Sequence, residues 1–169
     1  QPGDCAVLVR GHQQAADVRT ALSLRGVPEV IASQGQVFQT AEARSLHRWL
    51  QALSSPSDHH AARVLAADPL LAWSAAELPG GTDDNPEHAR CWESWLVTLG
   101  RWRSTFQRAG FMAAFRAMLD HVPPWSRPSE AVGPRVLGTE AGERRMTDLL
   151  HLAELLHTQH TTSRSGLVG

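Results

Sequence analysis

Apolar positions change rhythm once along this chain. Residues 5 to 9 (Cys, Ala, Val, Leu, Val) form an unbroken apolar run, the pattern of a strand covered on both faces. Arg10 to Gln13 are polar and predict a turn. Ala15, Val18, Ala21 and Leu22 then recur at helical spacing, until Gly26 and Pro28 stop the helix. Val30 and Ile31 start a second short apolar run. Strand, helix and strand at these lengths predict a βαβ unit, which needs further parallel strands to cover its edges. The neighbouring strands are missing, so this unit is expected to be a part of something larger.

From about residue 40 the period is helical throughout. Leu46, Trp49, Leu50 and Leu53 make one stripe, ended by Ser54, Ser55 and Pro56. A shorter helix through Ala62, Leu65 and Ala66 stops at Pro69. Ser74 and Glu77 have capping-box spacing and predict a brief helix. Residues 79 to 86 read as a loop, with Asn85 as N-cap and Pro86 at the first helical position. The longest helix carries Trp92, Trp95, Leu96, Leu99, Trp102 and Phe106 on one side. Gly110 breaks it, and Phe111, Phe115, Met118, Leu119 and Val122 line the next. Pro123 to Gly138 reads as an irregular connection. A last helix carries Met146, Leu149, Leu150, Ala153 and Leu156, with a polar, fraying tail from Thr161. The expected fold is mainly α, a helical domain preceded by a small βαβ remnant.

Composition narrows the function classes. No apolar run approaches the roughly 20 residues of a membrane span, and the start shows no basic-then-apolar leader. Cys5 and Cys91 stand far apart without a second pair, which fits a reducing cytoplasm better than a disulfide framework. The chain has no lysine, so a Walker A phosphate loop is impossible within it. A net charge of −1 excludes a uniformly cationic nucleic-acid coat. Charge is nevertheless uneven: residues 51 to 100 hold two arginines against seven acids, and residues 101 to 150 hold eight arginines against five. Arg101, Arg103 and Arg108 in the second block are the candidate phosphate-facing residues.

His59 and His60, and His151, His157 and His160, invite a metal reading. No cysteine or carboxylate completes a ligand set, and no metal site is expected. The tryptophan stripe Trp92, Trp95 and Trp102 has the spacing of a core face, which outweighs a base-stacking platform. Arg10, Gly11, His12 and Gln13 would sit at the carboxyl end of the first strand, the edge where open α/β sheets bind ligands. A guanidinium, an imidazole and an amide there suit phosphates and bases.

At that point the residues resemble a known family. "CAVLVRGHQQAADVRTALSLRGVPEVIASQGQVFQTAEARSLHRWLQAL" is similar to the second RecA-like domain of superfamily 1A DNA helicases of the UvrD/Rep type. "AARVLAADPLLAWSAAEL", "WRSTFQRAGFMAAFRAML" and "GERRMTDLLHLAELL" narrow the likeness to the RecB family, the beta subunits of exodeoxyribonuclease V. The resemblance implies that residues 1 to 40 are part of the second motor domain (2A) of a P-loop NTPase, and residues 41 to 169 its helical 2B insertion. It implies a parent that is an ATP- and Mg²⁺-dependent helicase and nuclease acting on double-strand breaks, with RecC-like and RecD-like partners. The phosphate loop, the acidic Mg²⁺ motif, the arginine fingers and the nuclease domain of such enzymes would lie outside this segment, leaving it without catalytic residues or cofactor of its own.

Carried over by position, the resemblance makes Arg10, His12 and Gln13 candidates for single-stranded DNA, with Phe38 as the aromatic of the next loop. Arg144, Arg145, Thr147 and Asp148 match a Glu-Arg-Arg-x-Thr-Asp signature, read as structural: a helix start whose arginines pair with nearby acids. Where Rep-type relatives carry a duplex-contacting Gly-Ile-Gly loop, this chain has Pro69, Leu70, Leu71, Ala72 and Trp73. Two alternatives stand beside the non-catalytic segment. One is a docking arm for the RecC-like subunit without DNA contact; the other is the same segment of a plain UvrD/Rep or AddA-type helicase.

Overall fold

The structure, a computed structural model, describes residues 5–27, 37–78, 86–124 and 130–163. The chain divides into two compact units, Gln1–Gln36 and Val37–Gly169.

In the first unit the expected helix forms as α1 (His12–Ser23). Gly26 follows it at φ 67°, a left-handed turn open to glycine, and the Val27 amide donates back to the Leu22 carbonyl at 3.1 Å. Ala15, Val18 and Leu22 are half-buried along its stripe. The strand expected at residues 5 to 9 is not formed, and the described residues contain no strand. A strand exists only through a ladder with a neighbour, and Val7 and Leu8 have none, being 63 % and 97 % exposed. The second expected strand, at Val30 and Ile31, lies outside the described residues. His12 and Gln13, expected in a turn, instead open α1.

The second unit is helical. A 3₁₀ turn (Val37–Gln39) leads into α2 (Ala41–Ser54), α3 (His59–Ala66), α4 (Pro86–Ala109), α5 (Phe111–Leu119), α6 (Val132–Leu137) and α7 (Gly142–Ser163). Caps set most boundaries. The Thr40 hydroxyl accepts the Ala43 amide at 3.1 Å, and the Asp58 carboxylate accepts those of His60 and Ala61 at 2.9 and 3.1 Å. Gly110, at φ 83°, turns the chain from α4 into α5. The helix expected after Ser74 does not form among the described residues. Glu77 accepts the Ser74 amide at 2.6 Å, half of a capping box, but Pro79 follows within two residues. Helix α6 falls where an irregular connection was expected. Val132 and Val136, one turn apart, are buried, and Pro134 sits in the first turn, where a missing amide costs little.

One core joins these helices. Trp49 of α2 is fully buried at its centre, with Trp102, Phe111 and Phe115 ring centroids at 6.4, 6.0 and 6.5 Å, all edge-on. Trp95 continues the cluster at 5.5 Å from Trp102, and its indole N–H donates to the Ala62 carbonyl at 3.1 Å. Edge-to-face pairs of this kind add about 0.5–1.5 kcal/mol each beyond the area they bury. The tryptophan stripe of α4 is therefore core.

Beside that core, Asp68 organises a tight turn. Its buried carboxylate accepts the Leu70 amide at 2.9 Å and pairs with Arg48 at 2.7 Å. From α6, Arg135 donates to the Leu71 carbonyl at 3.1 Å and to that of Leu70. Ala72 ends the turn at φ 53°, a conformation costing a non-glycine residue about 1–2 kcal/mol. Ala72→Gly is expected to raise unfolding free energy by up to about 1 kcal/mol, the strain relief outweighing glycine's greater unfolded-state entropy. Urea titration of the two forms checks it.

Candidate nucleic-acid and partner interface

The residues singled out for DNA fall into both units. Arg10 and Gln13 are exposed in the first unit, where the Arg10 amide donates to the Gln14 side chain at 3.0 Å. His12 opens α1. Helix α1 has Gly11 as N-cap, with no side chain satisfying its first amides. In the second unit Phe38 is 59 % exposed on the 3₁₀ turn while its neighbour Val37 is buried, so this aromatic faces solvent.

The three phosphate-facing candidates of α4 separate. Arg101 and Arg108 are exposed and lie seven residues apart, on the same side of the helix. Arg103 points elsewhere: its guanidinium donates to the Leu53 and Ser54 carbonyls at 3.0 and 2.6 Å, capping the C-terminus of α2. Arg116 on α5 is exposed and was missed from sequence. The signal for it was a gap in the acids: none occurs between residues 94 and 119.

The signature on α7 is built into the fold. Arg145 donates to the Glu42 carboxylate at 2.8 Å, joining the first turns of α7 and α2; Glu42 is 6 % exposed. The acid it meets is 103 positions away in sequence, not a neighbour on the helix. Thr147 donates to the Glu143 carbonyl at 2.8 Å, Asp148 is half-buried, and Arg144 is exposed. Gly142, the first residue of α7, carries no local sequence signal for its role. A Cβ there would lie 2.1 Å from the Leu137 carbonyl oxygen and 2.6 Å from that of Val136. Only glycine lets α7 start so close to the end of α6.

Other polar groups serve packing. His121 lies against Trp95 and Trp102, at 5.9 and 5.2 Å between centroids, and its Nε2 is buried without a hydrogen-bond partner. Burial, then the nearby Arg135 guanidinium, lowers its pKa from 6.5 to about 4, so the ring is neutral at pH 7. The unfolded chain takes up this proton near pH 6.5 and the folded chain resists until about 4. Stability is thus complete above 6.5 and is lost as pH falls from there toward 4. The ceiling is about 1.4 kcal/mol per pH unit, reduced by the ring's partial exposure. His121→Phe should flatten this dependence between pH 7 and 5, read from denaturant midpoints.

A cleft of about 360 Å³ beside α2 and α3 is lined by Arg48, Gln51, Ser54, Asp58 and His60, with Asp58 already occupied by its capping bonds. His59 packs near Trp92 at 6.2 Å and His160 near Phe106 at 5.2 Å. Among the described residues no three His, Cys, Asp or Glu side chains gather as metal ligands. Leu70, Leu71 and Trp73, in the stretch matched to the Gly-Ile-Gly loop, are buried and face the core. No described helix is long and apolar enough to cross a membrane.

No family model matches the chain. Curated relatives do. The RecB subunit of the RecBCD enzyme from Escherichia coli strain K12 is 32 % identical over 163 residues, 96 % of this chain and 13 % of that subunit. RecB subunits of Mycobacterium tuberculosis (strain CDC 1551 / Oshkosh) and Haemophilus influenzae (strain Rd) are 29 % and 28 % identical over 166 residues, 98 % of this chain. The chain spans 13–14 % of the length of these relatives. It is a relative of the RecB subunits of RecBCD enzymes, aligned with them across nearly all of its own residues.

Proposed function

We propose that the chain is a non-catalytic segment of a RecB-like, ATP- and Mg²⁺-dependent DNA helicase and exonuclease that processes double-strand breaks for recombination in the cytoplasm. Alignment with RecB subunits over 96–98 % of the chain carries this reading. Residues 1 to 40 act as part of the second motor domain, and residues 41 to 169 as the 2B insertion that orients the motor relative to DNA and its RecC-like and RecD-like partners. Two packing observations support the division. Among its described residues the first unit buries no side chain fully, as expected of an element whose sheet partners lie elsewhere. The second unit owns a core centred on Trp49.

In the motor remnant Arg10, His12 and Gln13 meet single-stranded DNA; Phe38, exposed on the 3₁₀ turn that opens the second unit, is a separate candidate for base stacking. A second reading, a docking arm for the RecC-like subunit, gains from one observation. Arg103, Arg135 and Arg145, three of the eight arginines between residues 101 and 150, are spent on internal carbonyls and Glu42. The test is degradation and unwinding of linear duplex by the whole protein purified with its partner subunits. Both activities should require ATP and Mg²⁺ and a free duplex end. An assembly that neither unwinds nor degrades such DNA would refute the proposal.

A further inference from the structure

The longest stretch of the chain without an acidic residue runs from Ser94 to Leu119. It covers the second half of α4 and all of α5, which pack on each other across Gly110. It holds four arginines in a chain whose net charge is −1. Arg103 is used as the cap of α2. Arg101, Arg108 and Arg116 are exposed, and none of them takes part in an ion pair among the described residues. Arg101 and Arg108 are separated by two helical turns, about 10 Å along one side of α4. Ser104 and Thr105 between them turn their hydroxyls back onto the Gly100 and Arg101 carbonyls at 2.9 Å, and so act as small spacers. Exposed Gln107 adds an amide donor.

The same surface has no aromatic or large aliphatic anchor for a protein partner. Between Arg101 and Leu119 no large apolar side chain is exposed: Trp102, Phe106, Phe111, Phe115 and Met118 all face the core, and the exposed valines Val97 and Val122 stand singly at the two ends of the stretch. Protein interfaces are anchored by buried aromatic and aliphatic residues at their centre. Guanidinium groups without apolar anchors, and without acids to neutralise them, suit a polyanion whose oxygens accept forked hydrogen bonds.

We infer that the solvent side of the α4–α5 hairpin is a contact surface for the phosphate backbone of nucleic acid, made by Arg101, Arg108 and Arg116. The inference deepens the function proposed above and rests on it, by giving the helical unit a DNA-facing surface. Such contact is independent of base sequence and weakens with salt, because each neutralised phosphate releases counterion.

The experiment uses the whole protein with its partner subunits and fluorescent DNA, one blunt duplex and one single strand, titrated across ionic strength. The triple variant Arg101→Gln/Arg108→Gln/Arg116→Gln should lower the slope of log affinity against log salt by about 2.7, at about 0.9 per lost contact on duplex and somewhat less on a single strand. The DNA form on which the slope falls identifies the strand that the surface meets. The triple lysine variant should retain most of the slope, which separates lost charge from misfolding. An unchanged slope in a folded glutamine variant would overturn the inference. So would loss of partner-subunit assembly with the slope intact, which would assign the surface to an acidic protein. Failure of the parent reading looks different: the wild-type assembly would then lack ATP-dependent action on DNA whatever the slopes.

Discussion

Gly142→Ala is expected to destabilise the helical unit by about 3 kcal/mol or more, lowering its melting temperature by roughly 6–12 °C. The added methyl would lie 2.1 Å from the Leu137 oxygen, 2.5 Å from the Leu137 carbonyl carbon and 2.6 Å from the Val136 oxygen. Those are backbone atoms of the last turn of α6, so no rotamer change relieves the overlap. Helix α7 would have to move away from α6, dragging Arg145 from Glu42 and Leu149 from the core. Gly138 is the control. Its added Cβ would meet only carbonyl oxygens at 3.6 Å, an ordinary contact, and Gly138→Ala should leave the melt within about 1 kcal/mol of the parent. Thermal melts followed by circular dichroism compare the two.

Trp49→Ala is expected to cost about 3–5 kcal/mol, the range for emptying a large aromatic site in a packed core. Trp49 has no exposed surface and meets the rings of Trp102, Phe111 and Phe115, so its loss opens a cavity shared by α2, α4 and α5. Conservative replacement separates packing from hydrogen bonding. The Trp49 indole N–H is buried without a partner, so Trp49→Phe loses volume alone. Trp95→Phe also loses the bond to the Ala62 carbonyl, worth about 1 kcal/mol, and should be the more damaging of the two. Denaturant midpoints of both variants give the ordering.

Helices were legible where a single face alternates at 3.6 residues: α2, α3, α4 and α5 follow the stripes through Trp49, Leu65, Trp102 and Phe115, except that α5 ends at Leu119 and leaves Val122, expected on its stripe, 42 % exposed beyond it. Helix α6 was hidden because six residues hold too little period, and Pro134 reads as a breaker unless its first-turn position is known. The N-terminal strand was read from apolarity alone. Whether an apolar run becomes a strand depends on neighbours, and among the described residues Leu8 has none. Leu150, expected on the core side of α7, is 44 % exposed, while Leu152 is buried in its place, a shift of the stripe along a long helix.

Arginine roles were the least legible part of the site. Charge counting treats Arg101, Arg103 and Arg108 alike, yet Arg103 sits on the inner flank of α4 and reaches the end of α2. Nothing local marks that difference, because the carbonyls it caps lie about fifty positions earlier in the chain. The same holds for Arg145, whose partner Glu42 comes from a distant helix. The exposed arginines, by contrast, announce themselves through the missing acids around them.

In the function proposed above, this chain contributes architecture and DNA contact, and nucleotide chemistry resides in other parts of the protein. ATP turnover with Mg²⁺ and single-stranded DNA, measured side by side for the 169-residue chain and for the whole protein, tests this most directly. The whole protein should hydrolyse ATP in a DNA-stimulated manner while the chain alone, folded and at equal concentration, does not. Nucleotide turnover by the chain alone would contradict it.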